Sequence, residues 1–382
     1  MRLVVVLAGI VFVLGVAFII PNLLTAGEQP QASGYSLLEP IRSGNLTVFP
    51  VVASKSYNTE EFLTLDEGLR SGDVVVTEAG QARGLIRRRP GGPDISRPVR
   101  DAEVNRLVLV NNSKRPLLLL AGEIVTGGKQ DRVIGKDRIV PPESDPVDLS
   151  VFCVEPGRWV ARNGNNAFGP GMGGGIGSGT GGGIGGGMFA APAVRSKAMA
   201  AKDQNQVWSE VRNSQQAMSQ VVVEAAPSAA AQVDATSSYA GVMNNREVDK
   251  KVNDVAAPVE RNYESVIHQL RDKNAVGVVV AVNGDIVWAD IFASTQLLQK
   301  YWPKLVRSYA TEAVITRAKS GEVSIKAAQK FLDNLQARHE TADSEPGVYR
   351  QAELTGDGFK VFELTSLLPK TGFLVHIAKM AD

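Results

Sequence analysis

The stretch AVGVVVAVNGDIVWADIF, residues 275–292, is the clearest structural signal in the chain. Two runs rich in valine, isoleucine and aromatic residues flank Asn283 and Gly284, and such runs are typical of strands. Asn-Gly is a preferred pair for a two-residue type I′ turn, because both turn positions need a positive φ. The stretch therefore predicts a β-hairpin in the C-terminal part of the protein.

The sequence after this hairpin predicts two helices and a final group of strands. A helix is expected over residues 295–319, interrupted early by Pro303, whose ring clashes with the preceding helical turn. A second helix is expected over residues 325–338, with Ser324 as its N-cap. Residues 349–380 predict two or three strands joined by a Gly-Asp-Gly turn.

Residues 36–159 have mostly strand-like patterns. Apolar runs at residues 45–53, 107–110 and 117–120 predict strands, and a short helix is expected to begin at Thr64, a suitable capping residue. We therefore predict an α+β fold. Its N-terminal part is strand-rich, and its C-terminal part holds the hairpin, two helices and the terminal strands.

The N-terminus is predicted to reach a membrane. Arg2 precedes eighteen uncharged and mostly apolar residues, 3–20, which is long enough for a spanning helix. We expect residues 1–21 to be a transmembrane signal-anchor, with a cleaved signal peptide and secretion as the alternative. Residues 22–37 would form a tether, and the rest would face the periplasm or the cell exterior.

The remaining residues, 38–382, are expected to form a single domain with two irregular interruptions. Residues 164–188 contain fourteen glycines, and ordering that many glycines costs too much backbone entropy for regular structure. We predict a flexible insertion there. Residues 189–245, rich in alanine, glutamine and serine, are expected to be loosely ordered apart from one helix.

Composition excludes several classes of function. The chain has 41 basic and 40 acidic residues, and this balance argues against nucleic-acid binding. Cys153 is the single cysteine, and the three histidines are widely separated, so no metal-binding pattern exists. Among the histidines, His376 lies in an apolar run, where a satisfied core position is expected. The sequence gives no sign of a cofactor.

Charged residues concentrate after one apolar strand and at the end of another. AGEIVTGGKQDRVIGKDRIVPP, residues 121–142, follows four leucines, and VFCVEPGRW spans residues 151–159. If these strands are neighbours, the two groups converge at one sheet edge. Glu123 or Glu155 would then serve as acid or base and Cys153 as nucleophile. The candidate ligand-binding residues are Lys129, Gln130, Asp131, Arg132 and Arg158.

The alternative for these residues is a buried network of ion pairs, since a charge removed from water needs a partner. Glu123 or Asp131 would then pair with Arg132 or Arg158. The sequence places no histidine beside Cys153 to activate it, which favours the structural interpretation.

These residues resemble the ARG and Rhodanese-Phosphatase-superfamily-associated Protein domain family. The family pattern is an apolar strand, Gly-Glu, a Gly-x-Lys-Gln-[Asn/Asp]-Arg segment and Cys-Val-Glu-x-Gly-Arg-Trp. The matching residues are Gly122, Glu123, Gly127, Lys129, Gln130, Asp131, Arg132, Cys153, Val154, Glu155, Gly157, Arg158 and Trp159. The resemblance extends over residues 36–380, and Gly128 and the glycine-rich insertion depart from it. It implies no settled activity, and the family name points to phosphoryl or nucleotide metabolism by association alone.

The leading hypothesis for function is a membrane-anchored binding or interaction module with a structural polar cluster. Its partner would be a protein or a small anionic ligand. The alternative is a hydrolase or transferase acting on a phosphate- or ribose-containing ligand, with Lys129 and Arg132 holding the anion and Glu123 or Glu155 as acid or base. A third possibility is surface assembly, with the glycine-rich segment as a flexible arm.

Overall fold

A computed structural model describes most of the chain after residue 33. The described residues are 34–78, 106–158, 167–170 (backbone only), 187–270, 272–319, 321–334 and 337–382. The predicted N-terminal helix, most of the tether and most of the glycine-rich segment lie outside these ranges. Within them, no helix has both the length and the apolar character needed to cross a membrane.

Most elements before residue 171 are strands. In chain order they are β1 (Tyr35–Leu37), β2 (Ile41–Ser43), β3 (Leu46–Ala53), β4 (Leu63–Thr64), α1 (Leu65–Ser71), β5 (Val74–Glu78), β6 (Arg106–Asn111), β7 (Leu117–Leu119), β8 (Glu123–Gly127), β9 (Arg132–Ile134), β10 (Arg138–Val140), β11 (Val147–Cys153) and β12 (Ala167–Pro170). Thr64 caps α1 as predicted, and it forms a capping box with Glu67.

Helices dominate the next part of the chain, before the final strands. The elements are β13 (Met188–Phe189), α2 (Pro192–Ser196), a π-helical turn (Lys197–Ala201), α3 (Gln204–Val223), α4 (Pro227–Ala235), α5 (Tyr239–Met243), α6 (Arg246–Gln269), β14 (Asn274–Val282), β15 (Asp285–Phe292), α7 (Thr295–Ile315), α8 (Ile325–Asp333), β16 (His339–Glu345), β17 (Tyr349–Thr355), β18 (Phe359–Ser366) and β19 (Leu374–Ala381). The α+β prediction is confirmed.

The predicted hairpin lies near the centre of a nine-stranded antiparallel sheet. The strand order is β1-β3-β14-β15-β19-β18-β17-β16, and β2 also pairs with β3. Asn283 and Gly284 have φ values of 56° and 85°, which confirms a turn with positive φ at both positions. Helices α6 and α7 pack on one face of this sheet. Helix α8 packs against a second apolar core, on the opposite face of the sheet.

A second sheet has seven strands, in the order β12-β5-β6-β11-β9-β8-β13, and all but β13 come from the N-terminal part of the chain. Because β12 also pairs with β8, six of these strands close into a barrel with its own apolar core. Strand β9 pairs with β11, and Arg132 lies opposite Cys153. The two charged groups of the sequence motif therefore meet through β9, and not through the strand of residues 117–120, because β7 lies in a separate sheet. A smaller three-stranded sheet has the order β10-β7-β4.

Two expectations about order along the chain are wrong. The one helix predicted in residues 189–245 is present as α3, which buries Val207, Val211, Met218 and Val222 against the core. The rest of this segment, expected to be loosely ordered, contains helices α2, α4 and α5, in keeping with its many alanine residues. Residues 167–170 of the predicted irregular insertion form strand β12, which pairs with β5 and β8 through backbone hydrogen bonds.

The helix expected to be interrupted at Pro303 is continuous from Thr295 to Ile315. A proline inside a helix removes one backbone hydrogen bond and crowds the preceding turn. Here Tyr301, Leu305 and Tyr309 are fully buried on both sides of the proline, and this tertiary packing offsets the lost bond. The following helix ends at Asp333, earlier than predicted, although Ser324 does cap its start.

Candidate functional site

The first half of the motif is a tight turn, residues 120–123, between β7 and β8. Gly122 has a φ of +101°, and its amide donates to the carbonyl of Ile134 at 2.8 Å. The amide of Ala121 donates to the carboxylate of Asp137 at 2.7 Å, and the amide of Leu120 donates to Glu123 at 2.8 Å. This turn therefore brings two carboxylates into the protein interior.

Glu123 is part of a buried triad. Lys304, on α7, donates to Glu123 Oε1 at 2.5 Å and to Asp66 Oδ2 at 2.7 Å. Burial raises the pKa of Glu123. Burial alone would lower the pKa of Lys304, but the two carboxylates outweigh it and raise that pKa. The lysine is thus held charged between two acidic groups, and the triad ties α7 to the barrel.

A second buried network lies behind the same turn. Arg195, on α2, donates two hydrogen bonds to Asp290 on β15, at 2.9 and 3.0 Å. His376, on β19, contacts Asp290 at 3.2 Å and Asp137 at 2.6 Å. Burial alone would lower the pKa of His376, but Asp137 and Asp290 outweigh it and raise the pKa to about 9. The network therefore joins the barrel to the nine-stranded sheet.

Tyr309 and two further aromatic rings complete this second network. The hydroxyl of Tyr309 donates to Asp290. The guanidinium carbon of Arg195 lies 4.3 Å from the ring centroid of Trp288 and 4.8 Å from that of Phe189. Cation–π contact with both rings supports a positive charge that is fully buried.

The second half of the motif forms a third network, at the turn between β8 and β9. Asp131 accepts from the amide of Gly127 at 3.0 Å and from the hydroxyl of Ser238 at 2.7 Å. Glu155 accepts from the amide of Asp131 at 3.0 Å and from Arg158 at 2.6 Å. Both carboxylates are buried, and their hydrogen-bond partners are groups of the protein itself.

The remaining candidate residues surround this turn. The amide of Lys129 donates to Glu78 at 2.8 Å, and the side chain of Gln130 donates to the carbonyl of Glu155 at 3.1 Å. Arg132 is fully buried, and that burial lowers its pKa. Cys153 is also fully buried, and burial raises the pKa of its thiol. A thiol in this environment is a poor nucleophile.

The structure brings some of the predicted site residues together and separates others. Gln130, Asp131, Glu155 and Arg158 do form one cluster. Glu123 belongs to another, because it precedes Gly127 by four residues along β8, about 13 Å at strand spacing. Its cation is Lys304, not Arg132 or Arg158 as the sequence suggested.

Cys153 has no histidine to activate it. Both ring nitrogens of His376 contact carboxylates, as expected of a satisfied core histidine, and His268 and His339 lie on the surface, whereas Cys153 is buried. Across the described ranges, no group of three or more histidine, cysteine or acidic residues has the arrangement of a metal site.

Sequence analysis missed the partners from other parts of the chain. These are Asp66, Asp137, Arg195, Ser238, Asp290 and Lys304. A usable signal did exist for two of them, since Asp290 interrupts the apolar strand WADIF and Lys304 interrupts the apolar helix YWPKLV. A charged residue inside an apolar run needs a buried partner, although the pattern does not identify that partner.

An open cleft of about 420 Å³ lies outside these networks, between the barrel and the β16–β17 hairpin. Arg138 forms an ion pair with Glu345 at 2.9 Å, and Lys136 pairs with Asp343. The ammonium of Lys136 lies 5.4 Å from the ring centroid of Tyr349. Unlike the motif carboxylates, the charged groups here are partly exposed and within reach of a ligand.

Fold and site together define an α+β protein in which most charges of one sequence motif are buried, in networks that join a small barrel to the helices and to a large sheet. A family model for the ARG and Rhodanese-Phosphatase-superfamily-associated Protein domain matches residues 34–380. The chain therefore belongs to this family, as the motif predicted. Searches of curated proteins and of solved structures gave no match.

Proposed function

We propose that the protein is a membrane-anchored, extracytoplasmic binding module whose family motif holds the fold together. The observation that carries this proposal is the burial of the motif carboxylates in satisfied pairs. Glu123 bonds to Lys304, and Asp131 and Glu155 bond to Ser238 and Arg158. Groups committed to such bonds would have to break them before meeting a substrate.

The N-terminal sequence supports the proposed location. Residues 3–20 are long and apolar enough to span a bilayer, and Arg2 is on the side expected to remain cytoplasmic. Secretion after signal cleavage is the alternative. Residues 34–380 would then lie outside the cytoplasm in either case.

The cleft beside Tyr349 is our choice for the binding surface. Lys136 and Arg138 place two cations over one aromatic ring, and their carboxylate partners, Asp343 and Glu345, are substantially exposed. Pairs of this kind contribute little stability in water, so an incoming group can replace one partner at low cost. A small anionic ligand or an acidic side chain of a partner protein fits this chemistry.

The hydrolase or transferase hypothesis finds less support. It needs Glu123, Lys129, Arg132 and Glu155 around one accessible ligand. Glu123 and Glu155 instead belong to separate networks, and Arg132 is fully buried. An acid–base pair must also be within hydrogen-bonding reach of the reacting atoms.

Thermal denaturation tests the proposal on the compact unit Ala32–Asp382. We would compare the wild type with Glu123→Ala, Lys129→Ala and Arg138→Ala, each with and without a panel of nucleotides and sugar phosphates. A ligand that binds the folded state raises the melting temperature. We expect a ligand to stabilise the wild type and Lys129→Ala but not Arg138→Ala, and Glu123→Ala to melt lower in every condition.

Two outcomes would contradict the proposal. One is a ligand whose effect survives in Arg138→Ala and disappears in Lys129→Ala. The other is turnover of a panel compound that Glu123→Ala abolishes while its melting curve stays unchanged. The first result would place the ligand at the motif, and the second would show that the motif residues catalyse a reaction.

A further inference from the structure

One end of the nine-stranded sheet gathers the start of the described fold and two exposed loops. Tyr35, at the start of β1, lies opposite Ala53 at the end of β3. Ala53 also pairs with the first residue of β14. Because the strands are antiparallel, the end of β15 and the start of β19 lie at this same end of the sheet. Residues 54–58 and the β18–β19 loop, residues 367–373, therefore project from the same end at which the chain enters.

Apolar side chains are exposed at this end. The side chains of Tyr57 and Leu367 are 42% and 44% exposed, and Tyr57 stacks on Phe373 with ring centroids 4.5 Å apart. Two of the four large apolar residues that are exposed in the described ranges thus occur here. Pro369, also exposed, lies in the same loop. We call Tyr57, Leu367, Pro369 and Phe373 the aromatic face.

The start of the fold lies close to this face. Tyr35 pairs with Ala53 across β1 and β3, and Tyr57 follows Ala53 by four residues. Residue 34 therefore enters the fold beside the aromatic face. The twelve residues 22–33 that connect it to the predicted spanning helix reach at most about 40 Å when fully extended.

Charge at this face is nearly balanced. Lys370 is exposed and pairs with Glu61 at 3.4 Å, and Lys55 is also exposed. Attraction to a surface must therefore come mainly from the apolar and aromatic groups. Tyrosine with flanking lysine is typical of the boundary between lipid headgroups and acyl chains.

We propose that the aromatic face rests on the lipid bilayer in which the N-terminal helix is anchored. The proposal depends on the membrane anchoring proposed above. The short connection keeps this face near the bilayer at high effective concentration, so a weak apolar contact is enough to hold it there. The contact would fix the orientation of the domain on the bilayer.

Spin labels in the full chain test this orientation. We would place one label at Leu367→Cys and a matched one at Val223→Cys, because both wild-type side chains are 44% exposed and Val223 ends helix α3. Wild-type protein measures the background from Cys153, which is buried. Each protein is reconstituted in vesicles of phosphatidylethanolamine and phosphatidylglycerol.

The readout is the collision rate of each label with oxygen, which concentrates in lipid, divided by its rate with a water-soluble nickel chelate. We expect this ratio to be several-fold higher at residue 367 than at residue 223. Melting curves of both variants check that each is folded.

Flotation of the vesicles separates the two proposals. If the full chain fails to float with the vesicles, the anchoring is wrong and the docking proposal falls with it. If the chain floats and the two labels give equal ratios, the anchoring stands and the docking proposal is wrong. If Tyr57→Ser lowers the collision-rate ratio at residue 367 to the value at residue 223, the contact is assigned to the aromatic face.

Discussion

Replacing Gly122 with alanine tests whether the turn of the motif supports the buried networks. Gly122 has a φ of +101°, and an added Cβ would lie 2.6 Å from Nε of Arg195 and 2.7 Å from its Cγ. Such contacts require movement. Arg195 has little freedom to move, because both of its terminal nitrogens bond to Asp290 and its plane faces Trp288.

The expected cost has two parts. A non-glycine residue at this positive φ loses about 1–2 kcal/mol in backbone strain. Overpacking against a side chain that is fixed in a core adds about 1–3 kcal/mol. Gly157 provides a matched control, since its φ is +92° and an added Cβ there meets nothing within 4 Å. Gly157→Ala should therefore pay the backbone cost alone.

Urea denaturation followed by tryptophan fluorescence measures both costs. We expect Gly122→Ala to lower the free energy of unfolding by about 2–5 kcal/mol and Gly157→Ala by about 1–2 kcal/mol. The difference measures the contact with Arg195. If Gly122→Ala costs no more than Gly157→Ala, the packing of this turn against the Arg195–Asp290 pair is not what stabilises the fold.

Three further changes test other parts of the account, each by its free energy of unfolding. Lys304→Met leaves two buried carboxylates without their cation and should lower the free energy of unfolding by about 3–5 kcal/mol. Glu123→Gln keeps the pair of Lys304 with Asp66 and should cost less. A larger loss for Glu123→Gln than for Lys304→Met would contradict the triad. The pKa of His376 is 6.5 in the unfolded chain and about 9 in the folded protein. Between pH 6.5 and 9 the folded state therefore binds a proton that the unfolded state has lost, and the free energy of unfolding should fall by about 3 kcal/mol as the pH rises through this range. His376→Asn should flatten that slope, and an unchanged slope would refute the assignment. Thr64→Ala removes the oxygen that accepts from Glu67 and should cost about 1 kcal/mol, whereas Thr64→Ser should cost little; equal losses would exclude a capping role.

Local features of the fold could be predicted from the sequence, because their causes are local. The Asn283-Gly284 turn needs only two residues that accept positive φ, and both have it. The caps at Thr64 and Ser324 need only a side-chain oxygen ahead of a helix. By contrast, the pairing of β9 with β11 was not predicted, and the strand that was considered as the neighbour of β11, residues 117–120, pairs instead with β4 and β10.

Features that depend on distant residues could not be predicted in the same way. Glu123 and Lys304 are 181 positions apart, and no periodicity in either segment indicates their contact. The continuity of α7 through Pro303 depends on burial against the sheet, which outweighs a local propensity. The periodic apolar residues of α3 did predict a helix, whereas the short helices α4 and α5 depend on the core that buries Val233, Tyr239 and Val242.

The central claim is that the charges of the motif stabilise the fold. A double-mutant cycle on Glu155 and Arg158, whose side chains are 2.6 Å apart, tests it most directly. We would measure the free energy of unfolding for Glu155→Gln, Arg158→Met and the double variant. The account predicts that each single change destabilises the protein, with a coupling energy of about 1–3 kcal/mol. Single changes that leave stability unchanged or raise it, as replacement of active-site residues often does, would contradict the account.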